Sequence, residues 1–412
     1  MVSERKRRRR TLLGTLAVLA GLSVVLFGAF WLIDFFCLHE VPDDDPGAWA
    51  RLIDFDPDTL QNALGSLAQI IAAVLGIAIT VVSIVVQLAA NRYTSRVADM
   101  FFRDKTNLAV MGFFVISCIN AVWVSLAVSR TYVPTATVLV TVGIVTASLL
   151  ALIPYFAYVF DFLDPEKVIA RIGQQTLSKA LGHPGRAVTD AESRQTQTVT
   201  SMEQLADIAV NALTQKDKVI ASDAIRALRE VLVKYLPEKP RLDPAWFEIG
   251  ADLRDNPDFV ALAASSLDEL RHDRTWLEWK GLRQMRQVFV EAQKAMPEMA
   301  HVVAVETRYV AEAALDAGEP AVATMTMKFM NTYLRAALNA RDIRTAYNVL
   351  NQYRQLAEAM LGSNDAADAE RLPEIATRFK YYAQLAQTLG LGFVAETAAY
   401  DLCTLCEIAA ER

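Results

Sequence analysis

Residues 62–107 read NALGSLAQIIAAVLGIAITVVSIVVQLAANRYTSRVADMFFRDKTN, and this stretch decides the fold. It begins with a long apolar run and ends with basic and apolar residues interspersed. On a helical projection, polar or small side chains recur every three or four residues and fall on one face. We call this face the polar stripe, and it comprises Gln69, Ala72, Gly76, Thr80, Ser83, Gln87 and Asn91. The pattern predicts a membrane-spanning helix with one face turned away from lipid.

The polar stripe is open to two interpretations. Ala68, Ala72, Gly76 and Thr80 are spaced four apart, an arrangement that lets helix backbones approach while Gln and Ser side chains hydrogen-bond across the contact. Alternatively, the stripe lines a water-filled pore in an oligomer. No ionisable residue lies between Leu64 and Ala90, which argues against a proton relay. Helix packing is therefore the favoured interpretation.

The basic segment that follows has the pattern of an amphipathic helix. Its cations are positioned to contact lipid headgroups, and each cation near an anionic membrane surface contributes about 1 kcal/mol of binding free energy. These cations are Arg92, Arg96, Arg103 and Lys105. A stop-transfer flank that only sets the topology would have the same composition. The sequence leaves these two interpretations open.

Composition and charge indicate a membrane protein. Of the 412 residues, 53% are hydrophobic, and the formal charge of −6 conceals a strong asymmetry. Residues 5–10 are all basic, whereas residues 38–61 are rich in Asp. A basic run directly before an apolar segment is typical of a cytoplasmic membrane flank. Nucleic acid is therefore not expected as a partner.

Four membrane spans are predicted, and they are residues 11–33, 62–90, 108–128 and 135–160. The flanks and loops before and between them carry six, one, four and one basic residues in order. This alternation satisfies the positive-inside rule and predicts that both termini are cytoplasmic and that the acidic loop 38–61 is external. The first span is too long for a signal peptide, and the last two are each long enough to cross rather than form a re-entrant hairpin.

Beyond the spans, the sequence predicts an all-α cytosolic domain, either solenoid-like or a bundle. Residues 161–199 are expected to form one helix, from Pro165 to Leu181, and then a polar linker over 183–199. Thr200 and Glu203 have the spacing of a capping box that starts the next helix. Residues 200–412 contain amphipathic helical patterns with a period of some forty residues, separated at PEKPRLDP, RDNP, RHDR, AMPE, AGEP, NARD, GSND and LGLG.

Several other residues have both a chemical and a structural interpretation. Cys403 and Cys406 form a CxxC, which fits a redox or metal pair, but the apolar helical context favours buried core thiols. Trp276 and Trp279 are expected to pack in a core rather than form a ligand cage. Polar side chains in the last two spans are expected to bond to neighbouring helices; they are Asn120, Thr137, Thr141 and Ser148.

The chain resembles a bacterial family of predicted membrane proteins (domain-of-unknown-function family 2254) over roughly residues 62–235. The matching pieces lie within residues 80–115, followed by LADIAVNAL at 205–213. The pieces of the first stretch are Ser83-Ile84, Gln87-Leu88-Ala89, Tyr93, Arg96 and Phe102-Arg103-Asp104. The resemblance implies a similar membrane topology and a location in the bacterial inner (plasma) membrane, and it implies no chemistry.

No catalytic, cofactor or metal motif is found in the sequence. We therefore expect a non-enzymatic, multi-pass inner-membrane protein without cofactors. The favoured function is an oligomeric, membrane-anchored scaffold or regulator, which contacts membrane lipids and whose cytosolic helices bind a copy of the chain or a cytosolic protein. The alternative is an oligomeric ion channel or transporter, in which the second span lines the pore and the cytosolic domain forms a vestibule or gate.

Overall fold

Every regular element that the computed structural model describes is an α-helix or a short 3-10 helix. The described residues are 56–92, 95–129, 133, 135–182, 191–361 and 366–410. The predicted all-α class is therefore confirmed for these ranges. The chain divides into two compact units, of which the first ends at Asp164 and the second begins at Pro165.

The described helices of the first unit are α1 (Pro57–Arg92), α2 (Ser95–Phe102), α3 (Lys105–Ala127) and α4 (Thr135–Phe162). Three described segments are long and apolar enough to cross a membrane: Pro57–Ala90, Lys105–Ala127 and Ala136–Phe162. They correspond to the second, third and fourth predicted spans. The predicted first span, 11–33, and the basic terminus, 1–10, lie outside the described residues, as does most of the acidic loop.

Helix α1 begins earlier than predicted, at Pro57 rather than at residue 62. The Asp56 carboxylate accepts hydrogen bonds from the Thr59 backbone N–H (2.9 Å) and the Thr59 hydroxyl (2.6 Å). This is the geometry of an N-terminal cap, and Pro57 then occupies the first helical position, where its missing N–H is harmless. The end of the predicted acidic loop is therefore the first turn of α1.

The first unit turns much of its apolar surface outward. A core cluster joins Ala68 and Ile71 of α1 to Phe114 of α3 and Val145 of α4. Only 22% of an 18-residue apolar stretch in each candidate span is buried, and Trp123 and Leu126 are 70% and 74% exposed. Exposed apolar surface of this extent is typical of a protein surrounded by lipid.

The second unit contains twelve described α-helices, and those predicted turns that the structure describes lie between them. They are α5 (Pro165–Leu181), α6 (Ala191–Thr214), α7 (Lys218–Tyr235), α8 (Ala251–Arg254), α9 (Pro257–Val260), α10 (Ala264–His272), α11 (Trp276–Ala295), α12 (Pro297–Asp316), α13 (Pro320–Asn339), α14 (Ile343–Leu361), α15 (Ala366–Thr388) and α16 (Gly392–Ala410). Two 3-10 helices, Leu236–Arg241 and Pro244–Phe247, follow α7. As predicted, α5 runs from Pro165 to Leu181 and stops at Gly182, whose φ of +71° suits glycine.

Most helices of the second unit pack on close neighbours along the chain. Helices α5, α6 and α7 pack together, α6 contacts α11, α7 contacts both α11 and α12, and α12 contacts both α13 and α14. Helix α16 packs on α14 and α15. The long helices therefore form a consecutive series, while a choice between solenoid and bundle stays a prediction.

The predicted linker over 183–199 is wrong in its second half. Helix α6 begins at Ala191, so Thr200 lies inside a helix and does not cap one. The buried face of its first turns is largely polar, since Gln195, Thr198 and Ser201 are buried there and the apolar Val199 and Met202 join them only from the third turn onward. The Gln195 amide donates to the carbonyls of Trp246 (2.8 Å) and Glu248 (2.9 Å), which satisfies it without water. Apolar periodicity does not detect a helix whose buried face is hydrogen-bonded.

Candidate functional site

The polar stripe of α1 points away from the core of its own unit. Every member whose side chain is described is exposed: Gln69, Ala72, Gly76, Thr80, Ser83 and Gln87. The side chain of Asn91 lies outside the described part. The opposite face of α1 is buried and entirely apolar, and it comprises Leu60, Leu64, Ala68, Ile71, Ala78, Val82, Val86 and Ala89. The described first unit therefore packs α1 by its apolar face.

The row of small residues does not lie on one side of α1. Ala68 is 6% exposed and belongs to the core cluster, whereas Ala72, Gly76 and Thr80 are exposed. A step of four residues turns about 40° beyond a full helical turn, so the row drifts out of the core. A Cβ added at Gly76 would meet no atom of the chain within 4 Å. The close approach that Gly76 permits is therefore not used within the chain.

Four polar side chains of α3 and α4 are paired with each other. The Asn120 amide donates to the Thr141 hydroxyl at 2.9 Å, and the Ser117 and Ser148 hydroxyls lie 2.6 Å apart. These contacts confirm the predicted bonding between α3 and α4. The prediction is wrong for Thr137, which lies one turn before Thr141, is exposed at the edge of the buried face and contributes only its carbonyl to Thr141. Within α1, the Thr80 hydroxyl donates to the Gly76 carbonyl at 2.9 Å.

A capped junction joins α3 and α4 at one end of the first unit. The Asp104 carboxylate caps α3 through the Thr106 N–H (2.8 Å) and accepts the Tyr158 hydroxyl (2.5 Å). Tyr155 donates to Asn107 at 2.8 Å. Burial raises the pKa of Asp104, but the hydrogen bonds it accepts from Tyr158 and Thr106 outweigh burial and hold the pKa below its ordinary value. The Asp104 of the family-like piece therefore has a structural role that sequence reasoning missed, although an Asp before a helix is a recognisable cap.

The aromatic ring of Phe101 anchors the end of α2 at the same junction. Phe101 is fully buried, and its ring centroid lies 5.3 Å from that of Phe162 and 6.5 Å from that of Tyr158. Phe102 is exposed, as are Arg103 and Lys105. The side chains of Arg92 and Arg96, the other two residues predicted to contact headgroups, lie outside the described part. Lipid contact by this set stays a prediction.

Sequence reasoning also missed a buried charge cluster in the second unit. The Lys280 side chain is fully buried, and its Nζ lies 2.7 Å from Glu203 and 2.5 Å from Asp258. Arg283 and Gln284 donate to the same Asp258 carboxylate at 3.1 and 2.7 Å. Burial raises the pKa of Asp258, but the Lys280 and Arg283 cations lower it below its ordinary value. The sequence signals only that Lys280 is buried, since it lies three residues after Leu277 on the buried face of α11; it does not signal the partners.

A second buried ion pair involves Glu278, which lies two residues before Lys280 on α11. Glu278 is fully buried 2.9 Å from Lys239, which also contacts Glu319 at 2.7 Å. Burial raises the pKa of Glu278, and the Lys239 cation opposes the rise. Because Glu278 is enclosed, it has no access to a ligand, and the pair is structural.

The tryptophans of α11 pack as predicted, with different partners. Trp276 is fully buried with its ring centroid 5.0 Å from that of Trp246, and its indole N–H donates to the Trp246 carbonyl at 2.8 Å. Trp279 packs on Phe259 at 4.8 Å between centroids. They therefore hold the turns before α11 against that helix.

The prediction of buried core thiols at the C-terminus is wrong. Cys403 and Cys406 are both exposed on α16. The reason is that α16 packs by its Val394, Ala398 and Leu405 face, and the CxxC lies on the other side. Among the described residues, no group of three or more His, Cys, Asp or Glu is placed to hold a metal ion.

Comparison with known proteins adds one match. Residues 9–200 match the model of a family described as "Predicted membrane protein (DUF2254)". The match starts before residue 62 and ends before 205, so the resemblance extends further toward the N-terminus than expected and does not include the 205–213 piece. No curated protein and no solved structure matches the chain. The match and the three apolar helices together indicate a membrane protein, which over residues 9–200 is similar to the predicted-membrane-protein family DUF2254.

Proposed function

We propose that this protein is a non-enzymatic, oligomeric scaffold or regulator anchored in the bacterial inner membrane. It is multi-pass with both termini in the cytoplasm, and it acts through a cytosolic domain formed by its second unit. The observation that carries the proposal is the exposure of the polar stripe on a helix whose apolar face is already used inside the unit.

The physical argument concerns what surrounds α1. Lipid tails accept no hydrogen bonds, so Gln69 and Gln87 gain nothing by facing them. A second copy supplies amide and hydroxyl partners, each interhelical bond contributing about 0.6–2 kcal/mol. Gly76 has open space around it, so another helix can approach the α1 backbone closely there. The stripe therefore fits an assembly face between copies.

The second unit supports the scaffold function with an exposed aromatic surface. Tyr347 of α14 and Phe393 of α16 pack at 5.6 Å between ring centroids, and both are exposed. Ile343 lies one turn before Tyr347, and Tyr400 lies two turns after Phe393; both are also exposed. Aromatic side chains with a polar end are enriched at protein interfaces. This surface is the proposed contact for a cytosolic protein partner.

Membrane lipids are the other proposed partner. Arg103 lies two residues before α3 and Lys105 is its first residue; both are exposed, as is the neighbouring Phe102. A cation next to an exposed aromatic residue suits the headgroup region of an anionic leaflet. In the proposed topology this leaflet is the cytoplasmic one.

A channel or transporter is the second candidate, and the same stripe favours it. If several copies turned their stripes toward a common axis, Gln69, Thr80, Ser83 and Gln87 would face water rather than a neighbouring helix. The stripe has no ionisable residue, so such a path would conduct without a fixed charge. The second unit would then form a vestibule or gate.

Matched glycine variants test the assembly. Gly76 and Gly143 are both exposed, and a Cβ at either position meets no atom within 4 Å. Gly76→Leu is expected to lower the oligomer population in nanodiscs, measured by mass photometry, whereas Gly143→Leu on α4 leaves it unchanged. A wild-type protein that is monomeric across a wide concentration range contradicts both candidate functions.

Ion flux in liposomes separates the two candidates. The scaffold function predicts no flux above that of protein-free vesicles. Flux that changes in Gln87→Leu or Ser83→Leu while the oligomer is unchanged would favour the channel and contradict the scaffold as a complete description.

A further inference from the structure

A cleft of about 300 Å³ opens along one side of α11. We call it the α11 cleft. Arg283, Arg286, Gln287 and Val290 follow one another on one helical face and form one wall, and Val210 of α6 and Asp258 of α9 complete it. Sites for small molecules occupy roughly 300–1,000 Å³, so this cleft suits a ligand at the lower end of that range.

The charges around the cleft do not balance. Three cations, Lys280, Arg283 and Arg286, lie near two carboxylates, those of Glu203 and Asp258. Lys280 contacts both carboxylates, and Asp258 receives Arg283 and Gln284 as well. Glu291 also lines the cleft, but it is 3.5 Å from Lys294, and that pair adds no net charge. Among these named groups, one positive charge is left over.

The remaining positive charge is carried by arginine side chains whose N–H donors are not all used in hydrogen bonds. Each guanidinium carries five N–H donors. Arg283 uses its Nε for Asp258, and within the described ranges its terminal nitrogens have no hydrogen bond. Arg286 is half-buried and, in the same ranges, makes neither a hydrogen bond nor an ion pair. The cleft therefore offers two arginine forks, three residues apart on one helical face.

We propose that the α11 cleft binds a small organic oxyanion, with its carboxylate or phosphate group held between Arg283 and Arg286. The planar guanidinium matches both groups in a bidentate manner, and such charge-assisted bonds are about twice as strong as neutral ones. Val210 and Val290 provide apolar surface for a short hydrocarbon part of the ligand. The site is independent of the polar stripe and of the assembly state.

Titration of the full-length protein in detergent tests the site, with sodium butyrate and inorganic phosphate as probes at constant ionic strength. Isothermal calorimetry is expected to show saturable binding of at least one probe. Arg286→Gln is expected to weaken it about tenfold or more, because one charge-assisted contact is lost. Arg254→Gln, an exposed arginine outside the cleft, is the matched control and should bind like the wild type.

The outcomes separate the ligand classes and the site itself. Tighter binding of butyrate assigns a carboxylate ligand, and tighter binding of phosphate assigns a phosphate ester. Arg286→Gln removes no described ion pair, so it should fold, and its circular dichroism and melting temperature serve as the check. Absence of saturable binding of both probes, or equal affinity of Arg286→Gln and Arg254→Gln, overturns the proposal.

Discussion

The two units differ in the large apolar side chains that they expose and in the polar groups that they bury. In the first unit, large apolar residues such as Ile77 and Trp123 are exposed, and the Ser117 and Ser148 hydroxyls are buried against each other. In the second unit, Trp276 and Phe289 are fully buried, and most charged residues lie outside. Both are helical, and the distribution in the first unit is typical of a protein surrounded by lipid, whereas that in the second is typical of one surrounded by water.

The units also differ in the polar contacts they bury. Between α3 and α4 the partners are neutral hydroxyls and an amide. The second unit buries charged groups: Glu278 and Lys239 are enclosed together, and Lys280 is fully buried against the partly exposed carboxylates of Glu203 and Asp258. A buried charge without a partner costs several kcal/mol, whereas a lost neutral bond in a membrane costs less. The contrast predicts that equivalent deletions have unequal effects.

Removing Lys280 is expected to have the largest effect. Lys280→Met leaves Asp258 and Glu203 without their shared cation, and we expect a loss of about 3–5 kcal/mol in the unfolding free energy of the second unit. Urea unfolding of the full-length protein, followed by tryptophan fluorescence, measures it. Lys328→Met is the control, because Lys328 and its partner Glu269 are both largely exposed at 3.5 Å. Equal stability of the two variants would contradict the claim that a buried cation contributes more to stability than an exposed one.

The next effect concerns pH at the contact between α14 and α16. Burial raises the pKa of Asp401 to about 6, with Arg354 opposing and Glu358 adding to the rise. Because the folded-state pKa exceeds the ordinary value of 3.8, folding favours the protonated carboxyl. Its contribution is present at low pH and is lost as the pH rises through about 6, amounting to about 3 kcal/mol in all.

Hydrogen exchange measures this pH effect. Corrected for intrinsic rates, the amides of residues 392–410 should be better protected at pH 5 than at pH 7. In Asp401→Asn the difference should disappear. A pH difference that survives in Asp401→Asn assigns it to another group.

A smaller effect is expected in the first unit. Thr141→Val removes the acceptor of the Asn120 amide, and we expect a loss of about 0.6–2 kcal/mol, measured by unfolding in mixed detergent micelles. Thr137→Val makes the same change at an exposed position one turn away and should have no measurable effect. If the two variants lose equal stability, the buried contact adds nothing.

The sequence predicted the elements better than it predicted their faces. Residues that end helices by local chemistry, such as Pro165 and Gly182, were enough to locate α5, and the turns after α11 followed from similar signals. The start of α6 was missed because its buried face begins with polar side chains such as Gln195, which are hydrogen-bonded inside the unit and give no apolar periodicity.

The candidate site was predicted in part. The residues of the polar stripe could be named from their spacing, but Ala68 could not be separated from Ala72, because the drift of a four-residue row appears only once the packed face is known. The Lys280 cluster joins residues 22 to 77 positions apart in the chain, and local patterns carry no information about such pairs. The exposure of Cys403 likewise depended on which face of α16 packs.

Disulfide cross-linking along α1 tests the assembly face most directly. In a background without the native cysteines, Ser83→Cys places a thiol on the polar stripe, and Val81→Cys places one at an exposed position about 160° around the same helix. Oxidation in native membranes is predicted to give a covalent dimer from Ser83→Cys and none from Val81→Cys. Equal cross-linking of both variants, or dimer from Val81→Cys alone, would show that the polar stripe is not where copies of this protein meet.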